Sequence, residues 1–190
     1  MRRVVAFFFI LLLISFKAYS LDGVEVLSGF FRGNLEKQGD YKAAQLLVDF
    51  DYSLKPFFAD HGLNVPGRLD FSLEPFISGV YDPKGNFECG NSFMLKWGVP
   101  ITKYFMPFIR MGLGFTYMTQ HVVEQGSQWN FLPQGGMGAH FFIRDGVALT
   151  LEGRFRHLSN NNFSKPNGGI EVIQYLGGFS YFFGAGEPRK

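Results

Sequence analysis

The feature that most constrains this chain is a period of two. Over segments of about ten residues, apolar side chains occupy alternate positions and polar or charged ones fill those between. Alternation of this kind sends successive side chains to opposite faces of a β-strand, whereas an amphipathic helix needs an apolar recurrence every three to four residues. Between Asp40 and Tyr52, Ala44, Leu46, Val48, Phe50 and Tyr52 share one face, and Gln45, Asp49 and Asp51 the other. Between Arg68 and Tyr81, Leu69, Phe71, Leu73, Pro75 and Ile77 oppose Arg68, Asp70, Ser72 and Glu74. Eight such segments are expected: 23–33, 40–52, 67–81, 86–98, 104–118, 129–143, 146–159 and 169–183.

In a soluble sandwich the apolar face points inward; in a membrane barrel it points to lipid and the charges line the interior. The N-terminus helps to decide between them. Met1-Arg2-Arg3, an apolar run from Val4 to Phe16 and then Ala18-Tyr19-Ser20 form the pattern of a cleavable secretory signal. That run is about 13 residues, short of the roughly 20 of a spanning helix. The expected organisation is therefore a signal peptide at 1–20 and one domain at 21–190, an eight-stranded antiparallel transmembrane β-barrel in the outer membrane of a Gram-negative bacterium. A barrel of eight strands is filled by its own side chains and is no porin. Asp49, Asp51, Arg68, Asp70, Glu74, Arg110, Glu152, Arg154 and Arg156 are all expected to face inward, where opposite charges can pair.

Charge and cysteine content exclude other classes. The chain carries 18 basic and 16 acidic residues; without Arg2, Arg3 and Lys17 the balance is 15 against 16, with no clustered basic stripe for a nucleic-acid backbone. Cys89 is alone, so neither an internal disulfide nor a multi-cysteine metal site is available. No metal or other cofactor is expected. His61 and His121 fall in expected connections and His140 on an inward row, and all three read as solvated or packed. Gly112-Leu113-Gly114 and Gly135-Gly136 precede no helix start and are not phosphate loops. Tyr175, Tyr181, Phe182 and Phe183 read as an aromatic girdle.

Connection lengths suggest an orientation, since bacterial barrels keep short turns in the periplasm and longer loops outside. The 99–103 and 144–146 connections are short; 119–127 and 160–168 are longer and are expected outside. The long 53–66 connection falls on the periplasmic side by this parity, against the trend.

The seventh segment alternates most cleanly, with Val147, Leu149, Leu151, Gly153 and Phe155 facing lipid and Thr150, Glu152, Arg154 and Arg156 opposite. Two further steps along the lipid-facing row reach His157 and Ser159. Polar groups facing hydrocarbon without a partner cost free energy, so they call for a reason. The apolar row of the eighth segment, Ile173, Tyr175, Phe179, Tyr181 and Phe183, begins at Glu171. A hairpin centred on Ser164 sets His157 directly opposite Glu171, with Ser159 one repeat further on the same face. A serine hydroxyl needs a base to become nucleophilic, imidazole is that base near neutrality, and a carboxylate behind the ring fixes its tautomer. Asn160, Asn161, Asn162 and Asn167 are candidates for positioning the substrate and its oxyanion, through side chains or loop amides.

The strings His157-Leu158-Ser159-Asn160 and Lys165-Pro166-Asn167-Gly168-Gly169-Ile170-Glu171 together resemble the signature of the PagL-type lipid A 3-O-deacylases. The resemblance is sharpest from Arg156 to Glu171. It implies that His157, Ser159 and Glu171 are the catalytic triad and that the asparagines lie by the oxyanion. It further implies a metal-free esterase that removes the 3-hydroxyacyl chain at the 3-position of lipid A, its lipopolysaccharide substrate lying in the outer leaflet, with a homodimer possible. The tail from Gly184 to Lys190 departs from barrels that finish on an aromatic residue, although Phe183 can serve as the insertion signal. Two other functions fit a barrel of this size: a non-enzymatic one acting by adhesion or support, and an acyltransferase taking its acyl group from phospholipid.

Overall fold

The computed structural model describes residues 21–35 and 39–183, so the expected signal peptide and the Gly184–Lys190 tail lie outside the described residues. Eight antiparallel strands form a closed barrel: β1 (Leu21–Leu35), β2 (Gly39–Ser53), β3 (Arg68–Asp82), β4 (Asn86–Gly98), β5 (Phe105–Met118), β6 (Trp129–Arg144), β7 (Val147–Leu158) and β8 (Ile170–Phe182). Each pairs with its sequence neighbour, and β8 closes on β1. The start of β1 and the end of β8 lie at one end of the barrel. The 83–85, 119–128 and 159–169 connections lie at the other, called here the loop end.

The eight expected strands are all present, with limits shifted by at most two residues. The 53–66 connection, for which alternation offers no reading, holds a short helix, α1 (Lys55–Asp60). Pro56 suits a first helical turn, where its missing N–H would have no partner anyway. Trp97 Nε1 donates to Pro66 O at 2.9 Å and ties this connection to the barrel wall.

The inner and outer rows follow the alternation. All nine charged residues expected inside are buried, and Glu25, Glu88 and Lys96, which the sequence reading did not single out, join them. Opposite charges pair across the lumen: Lys96 Nζ lies 2.6 Å from Glu25, Arg110 Nη1 3.0 Å from Asp49 and Arg154 Nη1 2.6 Å from Glu74. Apolar layers lie on both sides of this charged belt. Met106, Phe142, Ala148 and Phe182 pack at the terminal end. A larger cluster that includes Phe31, Tyr41, Leu132, Leu158, Ile170 and Val172 fills the loop end. Arg156 enters this upper layer with its guanidinium 4.9 Å from the Phe31 ring and 5.3 Å from the Phe76 ring, bonded to Gln45 Oε1 at 2.9 Å. The lumen is thus packed. His140, read as a packed histidine, is buried with Nδ1 2.8 Å from Thr150 Oγ1.

Register fixes the tilt of the strands. Paired residues lead from Gly23 through Asp51, Ser72, Met94, Gly112, Gln134, Arg156 and Val172 back to β1 at Gly33. One circuit, from 23 to 33, climbs ten residues toward the loop end. With about 3.3 Å per residue and about 4.8 Å between strands, the strands lean roughly 40° from the barrel axis.

Candidate active site

The site lies where β7 leaves the sheet and β8 re-enters it. His157 on β7 pairs directly with Glu171 on β8, as the hairpin centre at Ser164 requires. Both side chains stand on the outward row, continuing Leu151, Gly153 and Phe155 on one strand and Ile173 and Tyr175 on the other. The strand ends one residue earlier than expected, at Leu158, yet Ser159 keeps the alternation because its backbone is bridged to β6. Ser159 N–H donates to Phe131 O at 3.1 Å, and Phe131 N–H donates to Ser159 O at 2.7 Å.

What holds these three outward is what lies behind them. Leu158 and Ile170, the inward neighbours of His157, Ser159 and Glu171, are fully buried in the upper apolar layer. Turning either strand over would exchange those aliphatic chains for an imidazole, a hydroxyl and a carboxylate in a dry interior. Among the described residues no side-chain hydrogen bond joins Ser159, His157 and Glu171; such bonds often tighten only when substrate is bound.

Gly169 is a part of the site that sequence reasoning quoted without giving it a task. It takes a left-handed conformation with φ of +77° and lies against the His157 ring. A Cβ there would stand 2.6 Å from His157 Cε1 and 3.1 Å from Nε2. Only glycine both adopts this backbone readily and leaves the imidazole its place. The positive φ is a loop property that alternation does not reveal.

The four asparagines separate into different roles. Asn161 and Asn162 have left-handed φ values of 52° and 61° and are exposed in the loop, a conformation asparagine tolerates better than most residues. Asn160 points inward and is buried; its N–H donates to Asn167 Oδ1 at 2.8 Å, and its Nδ2 donates to Pro166 O at 3.3 Å. That N–H is therefore committed to holding the loop. Asn167 Nδ2 reaches Asn162 Oδ1 at 3.5 Å, so Asn167 spans the two arms of the loop.

A second loop braces the first. Gly126 N–H donates to Pro166 O at 2.7 Å, Gly168 N–H to Glu124 O at 2.8 Å, and Gln125 Nε2 to Leu158 O at 3.2 Å. The 119–128 connection thus grips both sides of the 159–169 loop, a contact between distant segments with no sign in the sequence. Phe131 and Phe163, ring centroids 6.1 Å apart, form an aromatic wall beside Ser159. His61 and His121 are exposed at opposite ends of the barrel; His61 Nδ1 lies 2.8 Å from Phe57 O.

With this geometry in hand, comparison with known proteins is informative. A family model described as lipid A 3-O-deacylase (PagL) matches residues 43–180. No curated protein matches the chain. Among solved structures, the crystal structure of the outer membrane enzyme PagL is similar with a TM-score of 0.61 at 20% identity, covering 85% of this chain and 99% of that one. Neisserial surface protein A is similar with a TM-score of 0.62 at 11% identity, covering 85% and 96%. At these identities the two structures support the fold: an outer-membrane type of eight-stranded barrel.

Proposed function

We propose, on the premise that this chain belongs to the PagL family of lipid A 3-O-deacylases, that it hydrolyses the 3-position ester of lipid A through Ser159, His157 and Glu171. The observation that carries the residue assignment is the cross-strand pair of His157 and Glu171 on the outward row, with Ser159 on the same row one repeat nearer the loop end. A lipid substrate cannot enter a packed lumen. It can meet a nucleophile only on the outer wall, and its ester lies near the headgroups, which is the level of a barrel rim. With the loop end facing outward, this rim lies in the leaflet that holds lipopolysaccharide.

His157 accepts the Ser159 hydroxyl proton as Oγ attacks the ester carbonyl, and Glu171 holds the ring and stabilises the imidazolium. The oxyanion that forms needs donors already in place. The backbone amides of Asn161 and Asn162 and the Asn167 side chain supply them, while the Asn160 N–H, spent on Asn167 Oδ1, keeps the loop in shape. Collapse returns the proton from His157 to the sugar oxygen and leaves the hydroxyacyl chain on Ser159. Water, activated by the same imidazole, then releases it as a 3-hydroxy fatty acid.

The test is mass spectrometry of lipid A exposed to the purified barrel. Wild-type protein removes one hydroxyacyl mass, and Ser159→Ala removes none while keeping its folded mobility in unheated gels. Undiminished release by that variant overturns the nucleophile. An unchanged lipid A spectrum with wild type points instead to a non-catalytic barrel, and a gain of acyl mass to an acyltransferase.

A further inference from the structure

Where carboxylates crowd together in the lumen, a lysine or arginine stands among them. Glu25, Asp49 and Asp51 bring one oxygen each within 4.8 Å of the others, yet Lys96 Nζ is bonded to Glu25 and Asp51 and fills that place. The group beneath the 119–128 loop is different. Gln120, Gln125, Asn130 and Asn160 are all more than nine-tenths buried there, and the side-chain amide oxygen of each has no hydrogen-bond donor among the described residues. Glu124, also buried, brings a carboxylate to the same loop.

In three of these amides the partners fix which end is oxygen. Asn130 Nδ2 donates to Ser127 O at 3.1 Å, Asn160 Nδ2 to Pro166 O at 3.3 Å and Gln125 Nε2 to Leu158 O at 3.2 Å. Turning any of them over would set carbonyl against carbonyl, so each amide oxygen is held on the side without a donor. A buried acceptor left bare is costly, and four in one region call for a ligand. Register and loop bonds bring them together. Phe131 and Ser159 are bridged on the outward row, so Asn130 and Asn160 stand opposite each other on the inward row, with Cβ atoms about 5 Å apart. Gln120 is the next inward position beyond Met118, whose sulfur also accepts from Asn130 Nδ2. Gln125 lies against β7 through Leu158 O and is bridged to Asn167, the residue that accepts the Asn160 N–H.

We propose that the oxygens of Gln120, Glu124, Gln125, Asn130 and Asn160 hold a calcium ion that ties the 119–128 loop to the rim behind Ser159. Water suits the group poorly. A water that donates to two of these oxygens needs donors for its own lone pairs, and among the four amides only Gln120 Nε2 is an unpartnered donor. A hard cation takes oxygens alone. Calcium accepts about six to eight of them in flexible geometry, amide and carboxylate together, whereas magnesium demands a near-ideal octahedron and keeps its waters. With one carboxylate the site is weak, with a Kd of about 0.1–1 mM. Asn160 follows Ser159 directly, so the ion fixes the backbone on which that serine stands, whatever reaction the serine performs.

The experiment uses the full barrel in detergent micelles, freed of cations with EDTA and then titrated with terbium. Trp129, beside Asn130 in the chain, sensitises terbium luminescence at close range. The signal is expected to saturate at a single ion per barrel and to fall as calcium displaces the probe. Asn130→Leu and Glu124→Gln each weaken terbium binding on the order of tenfold or more. Glu124→Gln, the milder change, carries the test if the leucine variant does not fold. Limited proteolysis between Asn160 and Gly168 is faster in EDTA than in calcium for wild type, and that difference disappears in Glu124→Gln. Luminescence that never saturates overturns the site. So does binding in both variants equal to wild type, which would place the ion on rim carboxylates such as Asp40 and Asp82. No ester takes part in these measurements, so their failure leaves the proposed triad to its own test.

Discussion

At the residue scale, the site depends on one position that carries no functional group. Gly169 is pressed against the imidazole of His157, with space for a hydrogen and no more. Gly169→Ala therefore has two costs: a methyl in a left-handed backbone and displacement of the ring by a good fraction of an ångström. Misplacing a catalytic group by about 1 Å costs on the order of 100-fold in rate. The variant is expected to lose about that much in kcat, with KM nearly unchanged, because the wall that binds lipid is untouched. Steady-state kinetics on a micellar ester check this; unaltered kcat would show that the ring tolerates the crowding. The residues of the proposed triad were readable because a histidine and a serine broke an otherwise apolar row. Gly169 was not, because its importance lies in what it leaves empty.

Among elements, the β7–β8 hairpin and the 119–128 loop act together. The hairpin places His157 opposite Glu171 by register alone, and the sum of residue numbers across it is constant from Val147↔Tyr181 to Leu158↔Ile170. Regularity of this kind is what allowed the pairing to be anticipated from an assumed hairpin centre. The brace from the other loop was hidden, since nothing in residues 119–128 alternates or repeats. Gln125→Ala removes the Nε2 bond to Leu158 O and leaves that carbonyl with one partner fewer. A loss of about 1 kcal/mol in local stability is expected, felt as opening of the 159–169 loop rather than unfolding of the barrel. Limited proteolysis should then cut the variant faster between Asn160 and Gly168 while the strands stay protected. Equal cleavage rates would show that the loop stands without this brace.

For the whole molecule, the decisive feature is a packed lumen with a charged belt between apolar layers. Arg110 lies near Glu25, Asp49, Glu74 and Glu152 at once, all of them buried. Removing it leaves buried carboxylates without their shared partner, and breaking a buried pair from one side costs about 3–5 kcal/mol. Arg110→Met is expected to lower the urea midpoint of the barrel by a corresponding amount, read from the shift in gel mobility of unheated samples. A midpoint equal to wild type would mean that the remaining lumen cations take over its partners.

Alternation along the chain by itself determined the number of strands, their faces and the row on which His157, Ser159 and Glu171 stand. Those properties are local: a period of two fixes which way each side chain points, and short connections fix which strands are neighbours. Three things were decided only by the tertiary structure. They are the circuit that tilts the strands; the loop that grips the 159–169 hairpin; and the burial that separates Asn160 from Asn161 and Asn162. Each depends on closing the sheet. Closure brings residues far apart in sequence to one place, and no periodicity within a segment records which partners it will meet.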